Sequence, residues 1–126
     1  MEDRIKTKNG EAWVEGEILM MKMSGEVTAE EIEEMAKIGV DMANKFKKIK
    51  YNVVDISGVR KVPLNARKMA FQSFTGPAEK IALVCINPVA RIIGSFFLKR
   101  YDFAKPIRMF STVEEAKKWF REGKKE

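Results

Sequence analysis

Seven residues of this chain have side chains or backbone properties suited to holding a small anion. They fall in three short stretches: Asp55, Ser57 and Gly58, then Asn65 and Arg67, then Asn87 and Arg91. Each stretch adjoins a predicted strand end, and ligands of open α/β sheets bind beyond the carboxyl ends of the strands. Two predicted helix N-termini and two guanidinium groups favour a phosphate or carboxylate there. The alternative is that both arginines are solvated or pair with local acids.

The residues needed for common catalytic mechanisms are missing from the sequence. It contains no histidine, which removes the usual general base near neutral pH and the most common zinc ligand. Neither Gly-x-Gly-x-x-Gly nor Gly-x-x-x-x-Gly-Lys-Ser/Thr occurs. A carboxylate mechanism would depend on Asp55, but a single aspartate after a strand more often closes a turn or caps a helix. We therefore expect no enzymatic activity, no metal site and no cofactor.

Composition indicates one globular domain. The chain has 126 residues, of which 45% are hydrophobic and 33% are charged. The single cysteine, Cys85, lies in the apolar run 81–86, so it has no internal disulfide partner and is expected to be a buried small hydrophobe. No positively charged and then apolar leader opens the sequence. We expect a cytoplasmic protein.

The net charge of +6, from 24 basic and 18 acidic residues, raises the question of an anionic partner. The lysines, however, cluster at residues 45–50 and 117–125, close to predicted helix ends, where the helix dipole favours cations. No nucleic-acid-binding motif accompanies the charge. We do not expect nucleic-acid binding.

The first third of the chain predicts an antiparallel meander followed by a helix. Strand patterns cover residues 4–8, 11–15 and 18–23, and Asn9-Gly10 and Gly16-Glu17 are the predicted turns. Asn9-Gly10 is expected at the centre of its turn, where both positions take positive φ. Thr28 and Glu31 then have the spacing of a capping box, and apolar residues at steps of three and four predict a helix over 32–46.

The rest of the chain alternates short apolar strands with amphipathic helices. Strands are predicted over 51–56, 80–86 and 107–110, the first ending at Ser57-Gly58. Helices are predicted over 66–74, over 88–100 and after Thr112, with Asn65 and Asn87 as N-caps. This order predicts parallel strands, right-handed crossovers and helices on both faces. The fold class is α/β, with a mixed central sheet of five or six strands and about four helices.

Several segments resemble the SpoIIAA-like branch of the STAS domains. The turn Asp55-Ile-Ser-Gly-Val59 is similar to the Asp-Leu-Ser-Gly-Val turn of STAS domains. Residues 88–98, 106–110 and 114–120 resemble SpoIIAA-like proteins of unknown function, in which a helix with an Arg-x-x-Gly-x-Phe-Phe core precedes a strand and a Glu-Ala-x-x-Trp helix. The resemblance covers roughly residues 5 to 122. It implies a SpoIIAA-like (STAS) fold and a regulatory module.

One departure from that family affects the expected regulation. In anti-sigma factor antagonists that resemble this chain, a serine in an Asp-Ser-Ser-Gly turn accepts phosphate from a partner kinase. The corresponding positions here are Pro63-Leu64-Asn65-Ala66, which include neither aspartate nor serine. Ser57 corresponds to the preceding turn serine, whose ordinary role is turn closure. We therefore expect a module without the usual phosphoserine.

The predicted helix over 88–100 has more apolar residues than one face can hold: Val89, Ile92, Ile93, Phe96, Phe97 and Leu98. The surplus can pack under residues 101–104, line an apolar ligand cavity or form a dimer contact. We predict a symmetric homodimer whose interface includes Ile93, Phe96 and Phe97.

The predicted function is a noncatalytic binding or regulatory module that recognises a protein partner, a second copy or a small ligand. The alternatives are an apolar-ligand or lipid carrier, and a domain that binds a nucleotide or another anion.

Overall fold

A computed structural model of the protein describes residues 4–63, 65–66, 78–100 and 106–122. Six strands form one sheet in sequential order: β1 (Ile5–Lys6), β2 (Gly10–Glu15), β3 (Ile18–Glu26), β4 (Tyr51–Lys61), β5 (Lys80–Val84) and β6 (Ile107–Phe110). Three helices are defined within the described ranges: α1 (Ala29–Lys45), α2 (Pro88–Arg100) and α3 (Val113–Glu122). Strands β1 to β3 are antiparallel and β3 to β6 are parallel, so the predicted mixed α/β sheet is confirmed.

The two faces of the sheet are covered by different helices. From β3 to β6, each new strand is added on the same side of the previous one. Crossover connections of the same handedness therefore place their helices on one face of the sheet. On that face, α1 and α2 share a hydrophobic core with the sheet, which includes Met35, Ala90, Val54 and Leu83. On the other face, α3 packs through Ala116, Trp119 and Phe120. Helices therefore lie on both faces, and the two crossover helices that the structure describes, α1 and α2, share one of them.

The predicted N-caps Thr28 and Thr112 define where α1 and α3 begin, and the reciprocal capping box is complete at Thr112. The Glu31 backbone N–H donates to the Thr28 hydroxyl at 3.3 Å, and the Glu115 backbone N–H donates to the Thr112 hydroxyl at 3.2 Å. The Glu115 carboxylate in turn accepts from the Thr112 backbone N–H at 3.2 Å. The helices α1, α2 and α3 directly follow β3, β5 and β6 in the chain. Their N-termini therefore lie at the carboxyl edge of the sheet.

The first turn differs from the sequence prediction. Thr7 N–H donates to the Gly10 carbonyl at 2.8 Å, so Lys8 and Asn9 occupy the centre of the turn. Gly10 begins β2, and β1 is confined to two residues. A Cβ at position 10 would lie 2.5 Å from the Lys22 carbonyl oxygen, so the glycine is required for close approach of β3. The second turn is as predicted: Gly16 takes φ of 59° between the paired Glu15 and Ile18.

Strand β4 is longer than predicted, because Ser57 and Gly58 do not end it. It pairs with β5 only as far as Asp55 and then continues beside β3 to Lys61. The pairing with β3 shifts register twice, so β-bulges absorb the extra residues of β4. A Cβ on Gly58 would lie 2.9 Å from the Ser24 Cβ, so this glycine marks a close approach between strands.

The predicted helix over 66–74 falls mostly outside the described residues. Asn65 and Ala66 are helical, and Ala66 is fully buried. Within the described ranges, no helix has the length and hydropathy needed to cross a membrane. The apolar run 81–98 is instead divided between β5 and α2, as Asn87-Pro88 predicts.

Glu15 connects the N-terminal strands to α3 and generates a pH-dependent prediction. Its carboxylate accepts from the Trp13 indole N–H at 2.7 Å and from the Lys117 ammonium at 3.0 Å. These two hydrogen bonds lower the pKa of Glu15 from its ordinary 4.5. A carboxyl whose pKa is lowered in the folded state stabilises the fold at any pH above its ordinary pKa. This stability is lost as pH falls through the folded-state pKa.

We expect Glu15→Gln to lower the free energy of unfolding at neutral pH by about 1 kcal/mol, a value reduced for partial exposure. The difference should shrink as pH falls below 4.5 and through the lowered folded-state pKa, because the Glu15 carboxyl is then protonated in both the folded and the unfolded chain. Urea denaturation across this pH range measures it, with the exposed Glu122→Gln as control. Equal stability losses at neutral and acidic pH would contradict the role of the Glu15 charge.

Candidate functional site

The carboxyl edge, where β5 and β6 end and β4 stops pairing with β5, is held together by side-chain hydrogen bonds to backbone groups. The Asp55 carboxylate accepts from the Ser57 backbone N–H at 2.9 Å. The Ser57 hydroxyl accepts from the Ile86 backbone N–H at 3.0 Å. The second bond joins β4 to the segment after β5, where strand pairing between them has stopped. Ser57 therefore connects adjacent segments of the edge, and Asp55 fixes the local backbone at Ser57.

Asn87 and Arg91 complete these connections. The Asn87 side-chain carbonyl accepts from the Val89 backbone N–H at 2.8 Å, so Asn87 is the N-cap of α2, as predicted. Arg91 Nη1 donates to the Cys85 carbonyl at 3.1 Å and to the Ser111 hydroxyl at 2.9 Å. Arg91 therefore joins the end of β5 to the residue that follows β6, and sequence reasoning missed Ser111 as its partner.

The remaining predicted site residues do not complete an anion site among the described residues. Gly58 lies within β4 beside β3, and Asn65 is exposed. Arg67, the second predicted guanidinium group, lies outside the described residues. The structure thus brings together Asp55, Ser57, Asn87 and Arg91, each of which makes a hydrogen bond with a backbone group.

Cys85 lies at the centre of this edge and is fully buried, as predicted. Burial raises the pKa of its thiol from 9.0 to about 11, because the surroundings disfavour the thiolate. The positive charge of Arg91 opposes this rise in pKa and the negative charge of Asp55 adds to it. The thiol is therefore protonated at neutral pH and is a poor nucleophile.

Large apolar side chains are exposed next to these polar connections. Ile86 is 67% exposed, Val89 54% and Ile92 59%. Along the outer side of α2 runs an open groove of about 260 Å³ that is lined, among the described residues, by Arg91, Ile92, Ser95 and Lys99. We call these six residues the α2 surface. Sequence reasoning did not single out Ile86, Ser95 or Lys99 as site residues.

The inward side of α2 is well defined. Ala90 is fully buried, and a Cβ on Gly94 would lie 3.1 Å from a Leu83 methyl and 3.2 Å from the Met109 methyl. The predicted interface residues Ile93, Phe96 and Phe97 belong to this helix, and their side chains are outside the described part of the structure. The dimer stays a prediction.

Metal chemistry finds no support in the described ranges. They contain no group of three or more Cys, Asp or Glu side chains arranged to hold a metal ion. At the carboxyl edge, side-chain hydrogen bonds join the backbone segments, and beside them lies a helix with exposed apolar and basic residues.

Residues 12–124 match the family described as Domain of unknown function (DUF7793). The chain belongs to the DUF7793 family. Among curated proteins, none matches its sequence.

Two solved structures show the fold of this DUF7793 member. The anti-sigma factor antagonist SpoIIAA in its unphosphorylated form is similar, with a TM-score of 0.54, 14% identity, and coverage of 96% of this chain and 98% of SpoIIAA. An uncharacterised protein of the DUF3478 family from Shewanella loihica PV-4, described as having a SpoIIAA-like fold, gives a TM-score of 0.55 at 15% identity. That match covers 94% of this chain and 91% of the other. The SpoIIAA-like fold predicted from the sequence is confirmed.

The burial of Cys85 predicts its reactivity. With a thiol pKa of about 11 and no solvent access, Cys85 should not react with Ellman's reagent in the folded protein near neutral pH, and should react fully once the protein is unfolded. Absorbance of the released thiolate measures this. The matched control is Cys85→Ala combined with Val40→Cys, whose exposed thiol should react at once. Rapid modification of Cys85 in the folded chain would contradict the packing of this edge.

Proposed function

We propose that this DUF7793 member is a noncatalytic binding module that recognises a protein partner through the α2 surface. The observation that carries this proposal is the exposure of Ile86, Val89 and Ile92 within seven residues of sequence. Scattered single apolar residues are normal on protein surfaces, but clustered large ones are typical of interaction sites.

The hydrogen bonds of the polar side chains at the carboxyl edge favour a structural role for these residues over a catalytic one. Asp55 and Ser57 hold backbone N–H groups, and Arg91 holds a backbone carbonyl. Catalysis requires groups that face a substrate with a pKa suited to proton transfer or attack. Cys85, the candidate nucleophile nearest to them, is buried and protonated. Because Arg91 is hydrogen-bonded to the Cys85 carbonyl and the Ser111 hydroxyl, it is less available to bind a small anion, which weakens the alternative function of anion binding.

The shape of the groove favours a protein over an enclosed apolar ligand. Ligand pockets are concave and bury most of a bound small molecule. The groove beside α2 is open to solvent, and two of its four described lining residues are cations. This combination suits the exposed side chains of a partner that contributes its own surface.

Site-specific photo-crosslinking tests this proposal in cells of the native host. Benzoylphenylalanine placed at Ile92 should give discrete protein adducts, because the α2 surface contacts the partner. The same probe at Val40, which is 51% exposed on α1, should give none of them. Adduct masses are read by mass spectrometry after purification of the full chain.

Two results would count against the proposal. Lipid or small-molecule adducts at position 92 would favour the carrier alternative. Identical protein adducts at positions 92 and 40 would mean that neither position reports a specific surface.

A further inference from the structure

Helix α2 differs from the other two helices in its charge. Its thirteen residues include three basic residues and no acidic one. By contrast, α1 has Glu30 and Glu31 in its first turn and Lys45 in its last, and α3 has Glu114, Glu115 and Arg121 in the same arrangement. Opposite charges on α1 and α3 partly offset one another, whereas the charge on α2 is of one sign.

The cations of the α2 surface form no ion pair with other described residues. Arg91 hydrogen-bonds to a carbonyl and a hydroxyl, both of which are neutral acceptors. Neither Arg91 nor Lys99 takes part in an ion pair with a described residue. The two acids closest to Arg91 in the hydrogen-bond network bind backbone N–H groups instead: Asp55 accepts from Ser57, and Glu115 accepts from Ser111 and Thr112. The α2 surface thus combines exposed apolar side chains with an exposed cation, Lys99, that forms no ion pair with a described residue.

The spacing of these residues sets the shape of the complementary partner. Arg91, Ser95 and Lys99 follow one another at steps of four, so they form one row along the helix. The two cations are therefore separated by about 12 Å along the helix axis, at the usual rise per residue. Ile92 lies beside this row, and the groove that all four residues line follows it. The row is therefore about as long as two turns of a second helix laid beside it.

From this charge and shape we infer that the α2 surface binds an acidic amphipathic helix of a partner protein. Apolar residues of that helix contact Ile92 and Val89, and its carboxylates face the exposed Lys99. The inference rests on the proposed function, because it specifies the partner of the same surface.

Charge also separates this occupant from the other candidates. A symmetric dimer through α2 would place two basic surfaces against each other, and like charges across an interface are unfavourable. A flat anionic membrane satisfies the cations but does not fill a groove between side chains. An acidic helix satisfies both features.

The test uses the full chain and two synthetic helical peptides as probes. In one peptide, leucines recur every three or four residues and glutamates flank them; in the other, lysines replace the glutamates. Fluorescence anisotropy measures the binding of each. We expect binding of the acidic peptide alone, weakened about tenfold by Lys99→Glu or by Ile92→Asp, and unchanged by Val40→Asp. Binding should also weaken as salt rises from about 0.05 M to about 0.5 M.

Three outcomes would overturn the inference. One is equal binding of both peptides, or of neither. Another is binding of anionic phosphatidylserine vesicles that Lys99→Glu abolishes while the acidic peptide does not bind. The third is a dimer in light scattering that Ile92→Asp converts to monomer. Circular dichroism of each variant verifies that it is folded. If the two peptides bind equally or not at all, protein crosslinks from position 92 can still form. Failure of the acidic-helix inference is therefore distinguishable from failure of the proposed function.

Discussion

After Asp55, strand β4 stops pairing with β5 and follows β3 instead, and this divergence leaves backbone groups at the end of β5 without a strand partner. Backbone N–H and carbonyl groups withdrawn from water are costly unless they are hydrogen-bonded. The Ser57 hydroxyl accepts from the Ile86 N–H, and the Arg91 guanidinium donates to the Cys85 carbonyl. Side chains thus replace the missing strand partners. The position of α2 depends on this replacement, because Asn87 and Arg91 belong to the start of that helix.

This use of polar side chains determines which groups remain available to a partner. The side chains that would otherwise supply catalysis or anion binding are engaged in holding the edge. What faces solvent beside them is apolar, at Ile86, Val89 and Ile92, and basic, at Lys99. On the inward side, Gly94 lets the helix approach Leu83 and Met109 closely, which fixes the direction in which the outer side faces. A binding surface and a rigid support therefore arise from the same short stretch of sequence.

Features set by local sequence could be predicted, and features set by distant contacts could not. The N-caps Thr28, Thr112 and Asn87 accept hydrogen bonds from residues two or three positions ahead, so the helix starts followed from the sequence. The end of β4 did not, because Gly58 reflects the approach of Ser24 from another strand. Arg91 was equally suited to an anion or to local pairing. Its partner Ser111 is twenty residues away, and only the folded sheet brings the two together.

The central claim is that the α2 surface is open to solvent in the free protein, and solvent paramagnetic relaxation of methyl groups measures this most directly. With a soluble gadolinium chelate and dilute protein, methyl signals of Ile86, Val89 and Ile92 should relax strongly. Those of Ile81 and Val84, which are buried in β5, should be protected. Protection of all five residues would mean that another part of the chain or a second copy already covers the surface, which would contradict the account.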